Sequence, residues 1–262
     1  MLALSAMVFA SCTEEDAPEN LTLTQQMLGK WMLTQFDGAT VLTNDMMVFT
    51  LESDSLGYVS ASKVGYNENH TKWANHTACN IVVNDKTITL HGDINKTTSF
   101  LAEIYVKSIS NNEIKADLEY TVYHNGSALD TISGTTSWTR VSKDYRTDIL
   151  GTWEGHVTNS EGSVFDDGEL HRWKYSDDDT YVYYHLDADS THWIPQPTEL
   201  SEYFVDGTLL CTRWKNSGEG EEENREWWEI ASIANGVMNW TALRKRDDGT
   251  TYTATFQMTK VQ

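Results

Sequence analysis

Three residues in the first third of the chain, His70, His76 and Cys79, carry side chains that suit zinc, because imidazole nitrogen and thiolate sulfur are its usual donors. Their His-x5-His-x2-Cys spacing matches no established zinc motif, and histidines on a polar surface loop account for it better. Asp177-Asp178-Asp179 and Asp187-Ala188-Asp189 could offer oxygen to calcium. Neither has the alternating oxygen pattern with a glycine that a calcium loop needs, so turn chemistry suffices for both. Glu219-Gly220-Glu221-Glu222-Glu223 reads as a solvated hairpin loop. The chain has no G-x-S-x-G elbow, phosphate-cradling glycine loop, H-E-x-x-H or C-x-x-C pair, so no enzyme, metal or cofactor is expected. What remains is a set of large flat faces in the second half: Trp173, Tyr175, Trp214, Trp228 and Trp240. Such rings could hold a small apolar or aromatic molecule, or stack on a glycan.

These aromatics must be aimed by strands. The second half is punctuated by Asp177-Asp178-Asp179, Asp206-Gly207, Asn216-Ser217-Gly218, Asn235-Gly236 and Asp248-Gly249, each between short runs rich in Val, Ile, Thr, Tyr and Trp. The runs fall near 151–158, 169–176, 180–186, 199–206, 208–215, 226–233, 237–245 and 250–261, which predicts eight antiparallel strands. The first half follows the same plan, with turns at Asp54-Ser55, Asn84-Asp85, Asn111-Asn112 and Asn125-Gly126. Only 21–28 and 144–150 look helical. Residues two apart in a strand share a face. Trp228 with Ile230, Trp240 with Met238, Trp173 with Tyr175, and Phe256 with Met258 are therefore expected to point inward.

The halves resemble each other. Met27-Leu28-Gly29-Lys30-Trp31 returns 122 positions later as Ile149-Leu150-Gly151-Thr152-Trp153. Val83-Asn84-Asp85-Lys86-Thr87, Ser108-Ile109-Ser110-Asn111 and Trp138-Thr139-Arg140-Val141 each have a counterpart, in the same order and at nearly the same offset. Duplication follows, with one domain over 23–142 and a second over 146–262. Eight meandering strands can close into a barrel, and here the chain resembles the lipocalin-like proteins, or calycins. The resemblance rests on a short helical turn, Gly-x-Trp on the first strand, and a cation on the last strand. It implies two tandem eight-stranded up-and-down barrels in which Arg140 covers Trp31 and Lys260 covers Trp153. The T-D-Y type motif of true lipocalins and a C-terminal helix are both missing, and an eight-stranded sandwich is the rival fold.

The first eleven residues are apolar or small and end at Cys12, too short a run to span a bilayer. The basic segment that precedes such a run in a signal peptide is absent, so either the true start is expected upstream or the chain is clipped. Val8-Phe9-Ala10-Ser11-Cys12 resembles a bacterial lipoprotein box. Thr13-Glu14-Glu15-Asp16 is similar to the acidic sorting signals of Bacteroidetes surface lipoproteins. That resemblance implies a signal segment over 1–12, lipidation at Cys12, an acidic tether over 13–22, and an outer-membrane, lipid-anchored location that includes the cell surface. Cys79 and Cys211 fall at non-equivalent places and read as buried free thiols.

With 19 Lys and Arg against 39 Asp and Glu, the net charge of −20 excludes nucleic acid as a partner and leaves the lipid anchor as the membrane contact. Two function classes remain. One is a binder of a small hydrophobic ligand or glycan in the second barrel. The other is a structural or adaptor lipoprotein with filled barrels, meeting a protein partner through exposed aromatics at Trp193 and Trp227. Full-length protein should enter the detergent phase on two-phase partition, and Cys12→Ala should move it to the aqueous phase. Aqueous partition of both forms would remove the lipidation.

Overall fold

The computed structural model describes residues 21–64, 72–159, 169–189 and 191–261, so Cys12, most of the tether and His70 lie outside the described residues. A five-residue helix, α1 (Leu23–Met27), opens the first half. Its capping box is the T-x-x-Q of Thr22 and Gln25, each bonded to the other's backbone N–H. Nine strands follow: β1 (Gly29–Phe36), β2 (Ala39–Thr40), β3 (Met47–Leu51), β4 (Leu56–Val64), β5 (Lys72–Asn84), β6 (Thr87–Asp93), β7 (Thr98–Ile109), β8 (Glu113–His124) and β9 (Ser127–Arg140). Apart from the short β2, which extends the far end of β1, they run in order round a barrel. The barrel closes where β9 returns to β1.

The second half repeats this plan with β10 (Gly151–Asn159), β11 (His171–Tyr175), β12 (Tyr181–Leu186), β13 (Trp193–Pro195), β14 (Thr198–Asp206), β15 (Leu209–Asn216), β16 (Asn224–Ala234), β17 (Val237–Lys245) and β18 (Thr251–Val261). Its first and last strands, β10 and β18, pair directly, and the sheet curls from β13 round to β14. The chain is thus all-β, with two tandem antiparallel barrels. Residues 144–150 form a single turn closed by Ile149 N–H to the Tyr145 carbonyl, within the one or two turns expected there. One local expectation is corrected: the short β13 falls in a stretch that lacks the apolar alternation of a strand. The hairpin dipeptides behave as their residue types dictate. Asp37-Gly38, Asn125-Gly126 and Asn235-Gly236 all have positive φ at both positions, the type I′ geometry that matches strand twist.

The two closures are alike in detail. Trp31 is the cross-strand partner of Arg140, and Trp153 of Lys260. The Arg140 guanidinium lies 4.1 Å from the Trp31 ring centroid and the Lys260 ammonium 5.1 Å from that of Trp153. Each indole N–H donates back to a carbonyl four residues earlier, Met27 at 2.8 Å and Ile149 at 2.6 Å. The glycine of Gly-x-Trp has a physical reason. Gly29 and Gly151 sit at φ +108° and +116°, and a Cβ there would meet Arg140 at 3.0 Å and Lys260 at 2.9 Å. The cations differ in one respect: Arg140 also donates to the carbonyls of Gln26, Leu28 and Asn111, tying helix and hairpin to the closure.

The barrels pack side by side. Phe204, Leu209 and Cys211, on the outer face of β14 and β15, belong to the first barrel's apolar cluster, and Trp227 leans against it. Trp227 is therefore half-buried between the barrels, and Trp193 is half-buried with Arg172 4.3 Å from its ring. This corrects the expectation that both are exposed. Cys79 and Cys211 are buried free thiols, and burial pushes the Cys79 thiol up to about 12. At the centre of the contact Asp206 is fully enclosed and accepts from the Lys30 ammonium and, at 2.5 Å, the Ser60 hydroxyl. His76 Nδ1 lies 3.8 Å away and Arg146 3.7 Å. A bulge in β5, with His76 at φ +47°, turns Asn75 and His76 toward the second barrel, where Asn75 donates to Asp179 at 3.2 Å.

Trp153→Ala should destabilise the second barrel by about 3–5 kcal/mol in urea unfolding. Lys260 is exposed, so Lys260→Ala should cost about 0.5–1 kcal/mol. Arg140→Ala should cost more than Lys260→Ala, because three carbonyls lose a donor.

Burial raises the Asp206 pKa, but His76, Lys30 and Ser60 outweigh it and hold the carboxyl below its usual 3.8. Its contribution is therefore present above pH 3.8 and lost as the pH falls through the depressed value. Glu229, beside the same contact, is pushed up from 4.5 by burial and acts in the opposite sense, gaining stability as acid protonates it. Below pH 3.8, Asp206→Asn should flatten the acid limb of thermal stability. An unchanged limb would place the acid sensitivity elsewhere.

Candidate functional site

The second barrel differs from the first at one seam. β13 pairs with β12 through Leu186↔Trp193 and Tyr184↔Pro195, and the next pairing is the lone bridge Thr180↔Glu202. Between them the chain takes seven steps on one side (195 to 202) against four on the other (184 to 180). Three extra residues are therefore accommodated as a bulge around Pro197. Within the gap, Gln196 N–H donates to the Tyr183 carbonyl at 2.8 Å, and the Ser201 hydroxyl donates to the Tyr181 carbonyl at 2.6 Å in place of a ladder bond. Below it, Tyr203 N–H to the Asp179 carbonyl closes the seam.

Behind this bulge is a cavity of about 320 Å³. Gln196, Thr198 and Ser201 line it from the bulge, and Trp173, Tyr175, Trp214, Trp228 and Trp240 from the barrel wall, so all five sequence-selected aromatics face one space. Tyr181, Tyr183 and Phe256 add three further rings. Their alternation along β11, β12, β15, β16, β17 and β18 sends them inward, as parity requires. The rings brace one another edge to face. Trp173 lies 5.5 Å from Trp240 and 5.2 Å from Phe256, and Tyr175 lies 4.9 Å from Tyr203, centroid to centroid. The wall is therefore stiff, and it leaves unfilled space that a solid core would not.

Polar side chains share the wall with the rings, Gln196, Thr198, Ser201, Thr212 and Asn216 among them. His171 shares a hydrogen bond with the Tyr183 hydroxyl at 2.7 Å, and Glu226 pairs with Arg244 at 3.0 Å. Burial, then the neighbouring Tyr181 and Glu226, push the Tyr175 hydroxyl well above its usual range, and burial is also the main cause of the rise at Tyr181. The Tyr175 hydroxyl and the indole N–H groups of Trp228 and Trp240 are shielded from solvent without a hydrogen-bond acceptor. Each such donor costs about 1–3 kcal/mol, so this wall gives up stability that an aliphatic core would keep.

Two features went unread in the sequence. Glu226 stands on the cavity wall: it opens the run 226–233 and shares the inward parity of Trp228, a signal left unused. The first barrel has its own cavity of about 310 Å³, lined chiefly by apolar side chains such as Leu33, Phe36, Val41, Met47, Leu118 and Ile132. Both barrels therefore hold open space, against the expectation of filled interiors in the adaptor reading. Among the described residues no three His, Cys, Asp or Glu side chains gather to hold a metal ion. His76 is stacked on Tyr58 at 4.0 Å, and Asp178 and Asp187 accept bonds from their own turns, Thr180 in one case and Thr191 and His192 in the other.

No protein-family model and no curated protein matches the chain. Among solved structures it is similar to a double mutant of the vaccine antigen Transferrin Binding Protein B from Haemophilus parasuis Hp5, at 10% identity and a TM-score of 0.24. That likeness covers 90% of this chain, which spans 45% of the antigen's length. It is also similar to a Bacteroides fragilis NCTC 9343 protein with an outer-membrane designation, at 12% identity and a TM-score of 0.20, covering 91% of this chain and 99% of that one. At these scores neither likeness bears on what the chain binds, and the fold rests on its own strand order and register.

Proposed function

We propose that the chain is a non-catalytic binding protein of the bacterial cell envelope, lipid-anchored through Cys12, whose second barrel takes up a small apolar or aromatic molecule. The observation that carries this reading is the cavity of about 320 Å³ behind the bulged seam, walled by eight aromatic side chains. An apolar hole of about 150 Å³ suffices for a benzene-sized guest, so this one suits a molecule of roughly two fused or linked rings. The bulge supplies an amide and hydroxyls for a polar end of the guest, which keeps a short glycan within reach of the same site. The envelope address is supported by the apolar run ending at Cys12 and the acids that follow it.

The adaptor reading is less well supported. It needs filled barrels and exposed Trp193 and Trp227, and those side chains are half-buried over cavity-bearing barrels. Titration with flat aromatic molecules, bile acids and oligosaccharides, followed by tryptophan fluorescence, should give saturable one-site binding for at least one class. Trp214→Ala should weaken it about tenfold, the loss of roughly 1.4 kcal/mol of ring contact. Absence of any saturable change across the three classes would overturn the binding reading.

A further inference from the structure

The charge on the cavity wall narrows the guest further. Of the described side chains lining the second-barrel cavity, the one that carries a formal charge is Glu226. Eight of the lining side chains are indole, phenol or phenyl rings, and among the described residues no lysine or arginine lines the space. A π face attracts a cation through its quadrupole, most strongly for Trp, and the attraction grows as water is removed. The cavity therefore combines two kinds of cation-stabilising group, aromatic rings and a carboxylate, and its hydrogen-bond donors to an anion would all be neutral ones.

The chain already shows what these groups hold. Arg244, which shares inward parity with Trp240 and Ala242 on β17, places its guanidinium carbon 4.4 Å from the Trp228 ring centroid and a guanidinium nitrogen 3.0 Å from Glu226. Trp228 and Glu226 thus engage a cation from beside the cavity while also facing into it. The longer-range field has the same sign: residues 146–262 carry 22 acids and 10 bases. A compact ammonium with three N–H donors would have to give up strong hydration on entering a wall that is half aromatic. A quaternary ammonium has no N–H to leave unpaired and buries alkyl or ring surface as well.

We infer that the second-barrel cavity selects an organic cation, a quaternary ammonium carrying an aromatic or alkyl body, with the cationic head among the Trp faces and beside Glu226. This rests on the binding reading above and sharpens it, and the test separates the two. Phenyltrimethylammonium and tert-butylbenzene have nearly the same shape and differ in the charge on one atom. Titrated into the full chain and followed by tryptophan fluorescence, the cation should bind at least tenfold more tightly than the hydrocarbon. Glu226→Gln should shrink that preference several-fold while leaving tert-butylbenzene binding unchanged. Glu199→Gln, on an exposed pair with Lys215, should leave it intact.

Because Glu226→Gln also removes the partner of Arg244, the deciding measurement is the ratio in the unmodified protein, which needs no variant to fold. Equal or tighter binding of tert-butylbenzene would overturn the cation preference and leave an apolar binding site. Saturable binding of neither probe would overturn the preference, and failure of the aromatic panel as well would remove the binding site itself.

Discussion

Everything in this molecule depends on the return of a last strand to a first one. A meandering sheet has two edges until that moment, and its Trp at the start of strand one has no cover. Trp31 and Trp153 settle the register of that return in both barrels. Each is fully buried, bonded through its indole N–H to the turn before it, and roofed by the cation directly opposite. A one-residue slip would send every side chain of the last strand to the wrong face. The positive-φ glycines two residues before each Trp make room for the cation's side chain, so Gly, Trp and Arg or Lys function as one device separated by more than a hundred residues.

Against this shared closure the two barrels divide their work. The first closes without a break, and its β5 bulge reaches across to hold Asp206 and Asp179 at the lower end of the second barrel's seam. The second closes through the same Trp and cation, then gives way on the opposite side, where three extra residues part the strands. Fixing one end of a seam while bulging the other concentrates the opening above Ser201. The first barrel thus braces the wall in which the second keeps its cavity.

Much of this was legible in the residues. Asn125-Gly126 and Asn235-Gly236 mark hairpins because few other dipeptides accept positive φ twice, and the alternation of Trp228 with Ile230 and of Trp240 with Met238 fixes which rings meet inside. The paired Gly-x-Trp motifs carried the barrel. Trp227 was misread because alternation tells inward from outward but not outward from docked: a ring on the outer face is exposed only until another barrel covers it. Glu226 shares the parity of inward Trp228 and was passed over because a carboxylate is not expected on an aromatic face, and the seam bulge was hidden by the brevity of β13, whose register depends on a strand with which it pairs for three residues only. A cavity is what the side chains leave unfilled, a property of volumes summed over many strands, and no local pattern encodes it.

The near-identity of the two closures bears on how the chain acquires its shape. Strands β9 and β18 carry similar closing chemistry, and so do their targets β1 and β10, so a crossed pairing of β18 on β1 would meet a familiar partner. Such exchange between similar neighbours is the characteristic failure of tandem repeats. Synthesis from the amino end protects against it, since Arg140 emerges and can seal the first barrel while Lys260 is still 120 residues from being made. Refolding from denaturant offers no such order, with all four edges present at once. The pairing of distant strands is also slow to form, because loop-closure entropy must be overcome first. With two like closures in one chain, the order in which the four edges appear becomes a constraint on folding.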